Sequence, residues 1–381
     1  MKVIVLGAGN IGSIATQDLA KTMPSAEFVV ADIDENRASS LAERMSKKRV
    51  LSIQLDATNR KQLLQTLKGF DLVMGFLPGN LGYTLMKACI KARRDLVDVS
   101  YMAENPLNLN AIAKRAEILI VPDCGLAPGI SNFLVGHASR KLDKLKTVHI
   151  MVGGLPEKPT PPLDYIITWS TESLIDEYTR KAIVIRQGKR IKADALSGTE
   201  TIEFPRIGKL EAFYTDGLRT MAQTIEGEDM WEKTLRYPGH TEKIKVLHAL
   251  GFFGKEKIKV GKIEVSPRQL TAKLFQQKLY KTEIKDFVAL KVEVCGIEKG
   301  KKTCYTYNLL EKYDELQGTT AMARTTAYPP SIVAELILNR VVEKSGVVPP
   351  ELLGMNMEVY EQFLNGLKKR GINVIEEKSI R

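Results

Sequence analysis

Val3, Ile4, Val5 and Leu6 form an unbroken apolar run, the pattern of a parallel strand buried on both faces. Gly7, Gly9 and Gly12 follow in the spacing G-x-G-x-x-G, then a helix-length segment (residues 11–21) and a second apolar run (residues 27–31) that stops at Asp32. The alternation continues. Residues 35–46 read as a charged helix with Leu41 and Met45 on one apolar face. Strands are expected at 50–55, 71–76, 95–99 and 117–121, with helices at 61–67, 82–92 and 106–115. Six strands alternating with helices predict an α/β chain built on a Rossmann doubly wound parallel sheet.

The glycine spacing alone is weak evidence, but here it follows a strand, opens a helix and leads to a strand ending in Asp. Gly7 serves the tight turn, Gly9 the approach of a pyrophosphate, and Gly12 close packing of helix on strand. Asn10 and Ile11 open the helix, whose unpaired N–H groups favour phosphate oxygens. Asp32 is placed to accept hydrogen bonds from a ribose and to repel a 2′-phosphate. No Arg or Lys follows until Arg37, so NAD is the expected cofactor. Asp56 and Ala57 end the third strand, where they can meet the adenine edge; Asp56 or Thr58 would equally serve as a helix cap. Leu77 and Pro78 end the fourth strand and complete the expected cofactor contacts.

From Gly125 the style changes. A Gly/Pro-rich stretch (residues 125–131) precedes a helix at 132–141, and a Pro-rich loop covers 155–162. Strands are expected at 147–152, 166–169, 182–185, 201–204, 287–295 and 303–310, with helices at 174–178, 241–250 and 267–279 and a Gly/Lys-rich turn at 187–192. The mixture predicts a second α+β domain with a largely antiparallel sheet. The boundaries expected are 1–128 for the NAD-binding domain, 129–317 for the second domain, and 318–381, with an apolar helix within 319–339, returning to complete the first.

Composition narrows the field. At 381 residues the chain exceeds what one core usually supports. No 18-residue apolar stretch is present and strand one begins at once, which argues against a membrane span or signal peptide. Cys89, Cys124, Cys295 and Cys304 lie far apart without C-x-x-C spacing, which argues against a zinc site or disulfide framework and fits a reducing cytoplasm. The net charge of +11 raises the question of nucleic acid. The lysines are scattered, densest at residues 298–302, and lack interleaved aromatics, so a solvated surface is the favoured reading.

Six stretches carry a resemblance: SYMAEN (100–105), PDCGLAPG (122–129), PLDYIITWS (162–170), EAFYTDGLRT (211–220), LRYPGH (235–240) and ARTTAYPP (323–330). Together they are similar to the saccharopine dehydrogenase-like family, and within it to the lysine 6-dehydrogenase branch. The resemblance implies NAD-dependent oxidative deamination of the side-chain amine of L-lysine, giving the 6-semialdehyde, which cyclises, and ammonia. It also implies that the second domain, 129–317, serves substrate binding and dimerisation, and that the protein is a homodimer. The third stretch departs from the family's expected Pro-Leu-Gly-Tyr-Lys: Asp164 stands for the Gly and Ile166 for the Lys.

Amine oxidation needs a nicotinamide close to the carbon bearing nitrogen, a base for the ammonium proton, and water to attack the imine. Asp123 and Tyr101 fall just past strand ends and are candidate base and proton relay; His240 is a candidate base from the second domain. Each has a structural alternative, as turn former, packing group or helix cap. Cys124 has no nearby His and suits close approach of the nicotinamide rather than nucleophilic attack. Arg219, Arg236 and Arg324 are candidates for the substrate carboxylate, though a structural ion pair is the favoured reading for each taken singly. The competing functions are a saccharopine or carboxyspermidine-type dehydrogenase acting on a secondary amine, and a non-catalytic NAD-binding protein.

Overall fold

Val3, Ile4, Val5 and Leu6 are wholly shielded from solvent in strand β1 (Lys2–Leu6), as the apolar run requires. The computed structural model describes residues 1–45, 49–281 and 283–380. The first part of the chain continues with α1 (Asn10–Thr22), β2 (Glu27–Asp32), α2 (Glu35–Arg44), β3 (Val50–Gln54) and α3 (Arg60–Leu67). Then come β4 (Leu72–Gly75), α4 (Gly79–Ala92), β5 (Asp95–Asp98), a 3-10 turn (Pro106–Leu109), α5 (Asn110–Arg115), β6 (Leu119–Val121) and α6 (Ile130–Lys141). Ser46, the last residue expected in the second helix, lies outside the described residues.

The middle of the chain is richer in strands than its pattern suggests. It contains β7 (Lys144–Pro156), α7 (Thr171–Thr179), β8 (Ala182–Arg186), β9 (Lys189–Ala193), β10 (Glu200–Phe204) and β11 (Gly208–Tyr214). There follow a one-turn helix α8 (Met221–Thr224), β12 (Asp229–Arg236), α9 (His240–Ala249), the small hairpin β13 (Ile258–Val260) and β14 (Ile263–Val265), and α10 (Pro267–Leu279). The long strands β15 (Asp286–Glu298) and β16 (Lys301–Lys312) lead to α11 (Ala321–Leu338), β17 (Gly346–Val347), α12 (Pro350–Gly354), α13 (Met357–Lys369) and β18 (Ile375–Ile380).

Two sheets organise these elements. The first has seven strands in the order β17-β6-β5-β4-β1-β2-β3. Every pairing in it is parallel. Its compact unit comprises Met1–Leu142, Gln223–Ile225 and Ala323–Val374. The second sheet has nine strands, β10-β11-β12-β7-β15-β16-β18 with β8 and β9 beside β12. All its pairings are antiparallel except β7 with β12.

Several expectations are corrected. The first unit runs past residue 128 to Leu142 because α6 packs on α12. The C-terminal stretch does not belong to that unit throughout, since β18 pairs with β16 in the second sheet. Residues 166–169 are not a strand; the Ile167 N–H is taken by the Leu279 carbonyl. The expected turn at 187–192 is shorter, because Lys189 already enters β9. Cys295 and Cys304 face each other across the β15–β16 pair and form a disulfide. Their separation along the chain concealed this, because a hairpin brings distant residues into register. Among the described residues no helix is long and apolar enough to cross a membrane.

Candidate functional site

The glycine loop of the first unit is shaped by what surrounds each glycine. Gly7 has φ +106°, and a Cβ there would lie 2.6 Å from the Phe76 carbonyl oxygen. A Cβ on Gly12 would come within 2.0 Å of the Gly7 carbonyl oxygen, so α1 can approach β1 only without one. Gly9 differs: nothing lies within 4 Å of its Cβ position, which leaves the backbone open for a ligand. It precedes α1, whose N-terminus carries no side-chain cap. Asn10 and Ile11 therefore begin a helix whose first N–H groups face outward from an uncapped end.

Asp32 closes this loop from β2. Its carboxylate accepts the Ala8 N–H at 2.7 Å and the Asp34 N–H at 2.9 Å. A carboxylate has lone pairs to spare after two such bonds, enough to accept from a ribose. Asp34 caps α2 and pairs with Arg37 at 3.3 Å. These residues fit a dinucleotide. At the end of β3, Asp56 accepts both the N–H and the hydroxyl of Thr58, which hold its carboxyl below the usual range. The cap of α3 is Asn59, neither Asp56 nor Thr58. Ala57 is buried beside it, and Leu77 and Pro78 lead from β4 into α4, which begins earlier than expected.

The carboxyl ends of β5 and β6 gather the remaining polar groups of this unit. Asp98, the last residue of β5, is wholly buried, and Ser100 donates to it from both its N–H (3.0 Å) and its hydroxyl (2.9 Å). Burial pushes the Asp98 carboxyl up to about 7; the Ser100 bonds pull it down and the charge of Asp123 adds to the rise. Tyr101 is half-buried in the tight turn that follows, where the Met102 N–H bonds the Ser100 carbonyl. Asp123 is 1% exposed and adopts φ 54°, a left-handed conformation that Asp tolerates better than most residues. The next residue, Cys124, donates its N–H to the Asp98 carbonyl at 2.9 Å. Burial, with the charges of Asp98 and Asp123, keeps its thiol protonated, so it supplies bulk rather than a nucleophile. Arg324 stands on α11 in the same unit, two residues before Thr326, whose methyl group borders Gly125.

The structure thus ties Cys124 and Asp123 to Asp98, which no motif singles out, and places Tyr101 in the turn just after it. A signal for it does exist. Gly75 and Gly82 flank the niche: a Cβ on Gly75 would lie 2.1 Å from an Asp98 oxygen, and one on Gly82 2.6 Å from the Ser100 Cβ.

The other three candidates belong to the second unit and are engaged within it. His240 is fully buried; Nδ1 bonds the Leu163 carbonyl at 2.8 Å and Nε2 the Tyr178 hydroxyl at 2.8 Å. Burial first, then the charge of Arg236, lowers it to about 3. A neutral ring donating from Nδ1 has only Nε2 left, and the Tyr178 hydroxyl fills it. Both ring nitrogens of His240 are therefore engaged within the second unit. Arg236 is buried against Glu177 at 2.8 Å, with its guanidinium 4.4 Å from the centre of the Tyr165 ring. Arg219 lies 3.6 Å from Asp216. In the departing stretch, Asp164 has φ 53° and pairs with Lys243, so the position favours Gly, while Ile166 is packed in the interior.

Comparisons with known proteins identify the family and the fold. A family model described as the saccharopine dehydrogenase NADP binding domain matches residues 3–121, and one described as the saccharopine dehydrogenase C-terminal domain matches residues 125–372. The chain is 23% identical to the Saccharomyces cerevisiae saccharopine dehydrogenase [NADP(+), L-glutamate-forming], over 99% of each chain. It is 25% identical to the Arabidopsis thaliana alpha-aminoadipic semialdehyde synthase, of whose length it spans 44%. The fold matches the apo saccharopine dehydrogenase (L-Glu forming) of S. cerevisiae with TM-score 0.79, at 20% identity and 99% coverage of both. The paired matches, one over the glycine loop and the first six strands and the other over most of the rest of the chain, place the chain in the saccharopine dehydrogenase family.

Proposed function

We propose that the chain is an NAD-dependent dehydrogenase that oxidises the side-chain amine of L-lysine to the 6-semialdehyde, releasing ammonia. The observation that carries this reading is the grouping of Tyr101 and Asp123 at the ends of β5 and β6, in the unit that holds the glycine loop. In a doubly wound sheet that is where ligands sit. NAD when bound accepts the hydride. Gly7, Gly9, Asn10, Ile11 and Gly12 would hold its pyrophosphate, Asp32 its ribose, Asp56 and Ala57 its adenine, and Leu77 and Pro78 the stretch toward the nicotinamide. Asp32 also disfavours a 2′-phosphate, whereas the yeast relative is named for NADP(+).

Asp123 takes the proton of the substrate ammonium, Tyr101 orients the nitrogen and relays that proton, and Arg324 holds the α-carboxylate. Arg236 and Arg219 are spent on Glu177 and Asp216, which supports a substrate with one carboxylate site. A second reading, cleavage of saccharopine at its secondary amine, is favoured by the full-length likeness to the yeast enzyme. The expected assembly is a homodimer.

The test is NADH absorbance with NAD or NADP and L-lysine at alkaline pH, with saccharopine, ornithine and carboxyspermidine in parallel and ammonia assayed at the end. NADH with ammonia from lysine supports the proposal. NADH from saccharopine without ammonia replaces it with the second reading, and NAD binding without any turnover removes both.

A further inference from the structure

The niche of Asp98 costs the fold two glycines on two different elements, one on β4 and one on α4. It encloses a carboxyl group with 0% exposure, and among the described residues no cation pairs with it. Such burial is expensive unless the group is neutral or fully answered. Among the described residues only Ser100 donates to it. The groups facing it are Ser100 beyond its own strand, Cys89 from α4, and Asp123 and Cys124 from the segment after β6. Both thiols stay protonated, and Asp123 is the second acid whose charge acts on Asp98. The backbone ties the two segments directly, through the Cys124 N–H on the Asp98 carbonyl.

We propose that Asp98 is a positioning residue that acts through Asp123, the two carboxyl groups at the ends of β5 and β6 sharing one proton during turnover. This rests on the reading of Asp123 as the group that receives the substrate's proton. Asp98 touches neither cofactor nor substrate. With one proton between them the acids carry a single charge, and release of that proton creates a second. The pair accepts the proton when an ammonium N–H bond breaks and an O–H bond forms on a carboxylate; the proton leaves to solvent before the next cycle. Ser100 sets the balance by bonding the ionised form of Asp98.

The test compares wild type, Asp98→Asn, Ser100→Ala and Asp123→Asn. In Asp98→Asn, which keeps an acceptor for Ser100, the acidic limb of kcat/KM moves to lower pH by at least about half a unit, because the like charge that delays the second ionisation is gone. In Ser100→Ala it moves to higher pH. NADH binding, followed by fluorescence, is unchanged in both. Limbs that stay put, or that move the same way, overturn the proposal.

A readout without turnover separates this from failure of the functional reading. A carboxyl whose folded value is raised stabilises the fold fully at pH below its ordinary value and loses that contribution as pH rises through about 7. The Tm of wild type relative to Asp98→Asn therefore falls between about pH 4 and pH 8, and Asp123→Asn moves that fall to lower pH. Parallel curves for wild type and Asp98→Asn, or a fall that Asp123→Asn leaves in place, overturn the pair even if no amine is oxidised. If Asp98→Asn does not fold, Ser100→Ala carries both readouts.

Discussion

Asp98 in the first unit and Glu177 in the second are both carboxyl groups removed from water, and they are answered in opposite ways. Glu177 faces the Arg236 guanidinium, which pulls its carboxyl down against the rise that burial imposes. Asp98 faces a serine and a second acid. The first arrangement fixes charge and the second leaves it adjustable. Around Glu177 the polar groups answer one another: Arg236 lies against Tyr165, Tyr178 against His240, and His240 against a backbone carbonyl. Such a set is a structural device, whereas adjustable charge at strand ends is what proton transfer requires.

The contrast can be tested at several points. The largest effect is expected at the adjustable end: Asp123→Asn lowers kcat by a factor of about 10² to 10⁴, the usual contribution of a positioned base, with NAD affinity retained. Steady-state kinetics with a fluorescence titration checks this, and unchanged kcat would remove Asp123 from the chemistry. At the fixed end, Arg236→Met leaves Glu177 buried without its cation and costs about 3–5 kcal/mol in urea denaturation. The double variant with Glu177→Gln recovers much of that loss, and equal losses in both would mean that packing, rather than charge, is the issue.

A smaller effect is expected in the glycine loop. Gly9→Ala meets no neighbour, so the Tm holds while NAD binding weakens roughly tenfold, about 1.4 kcal/mol. Gly12→Ala, set against a carbonyl oxygen, lowers Tm as well. The smallest effect concerns pH. His240 is held well below its ordinary value, so its neutral form stabilises the fold above about pH 6.5, and that contribution is lost as pH falls toward about 3. His240→Gln should flatten this acid branch of the Tm curve without adding or removing a limb in kcat. A kinetic limb lost with His240 would mark it as a base.

How legible these regions were follows from what buries them. The seven-stranded sheet could be read because its strands are apolar on both faces, as in Val3 to Leu6 and Leu72 to Met74. β12 is hard to read because Glu232, Lys233, Thr234 and Arg236 are buried inside it, and no periodicity scale anticipates polar residues held by distant partners such as Glu200, Thr215 and Glu177. β18 escaped because all six of its residues are exposed at an edge, where apolar alternation is not needed. At the site, Tyr101 and Asp123 could be read from strand-end position, but Asp98 could not. Its role depends on space left by Gly75 and Gly82, which lie on other elements.

The single parallel pairing of the second sheet, β7 beside β12, has a consequence for the order of assembly. The β8–β9 and β10–β11 hairpins close over a few residues, but β7 meets β12 only after the whole excursion between them has been gathered in. Loop-closure entropy makes such a contact a late one. Glu177 lies within that excursion and Arg236 at its far end, so the two charges lose their water together, in the same late step that joins the centre of the sheet.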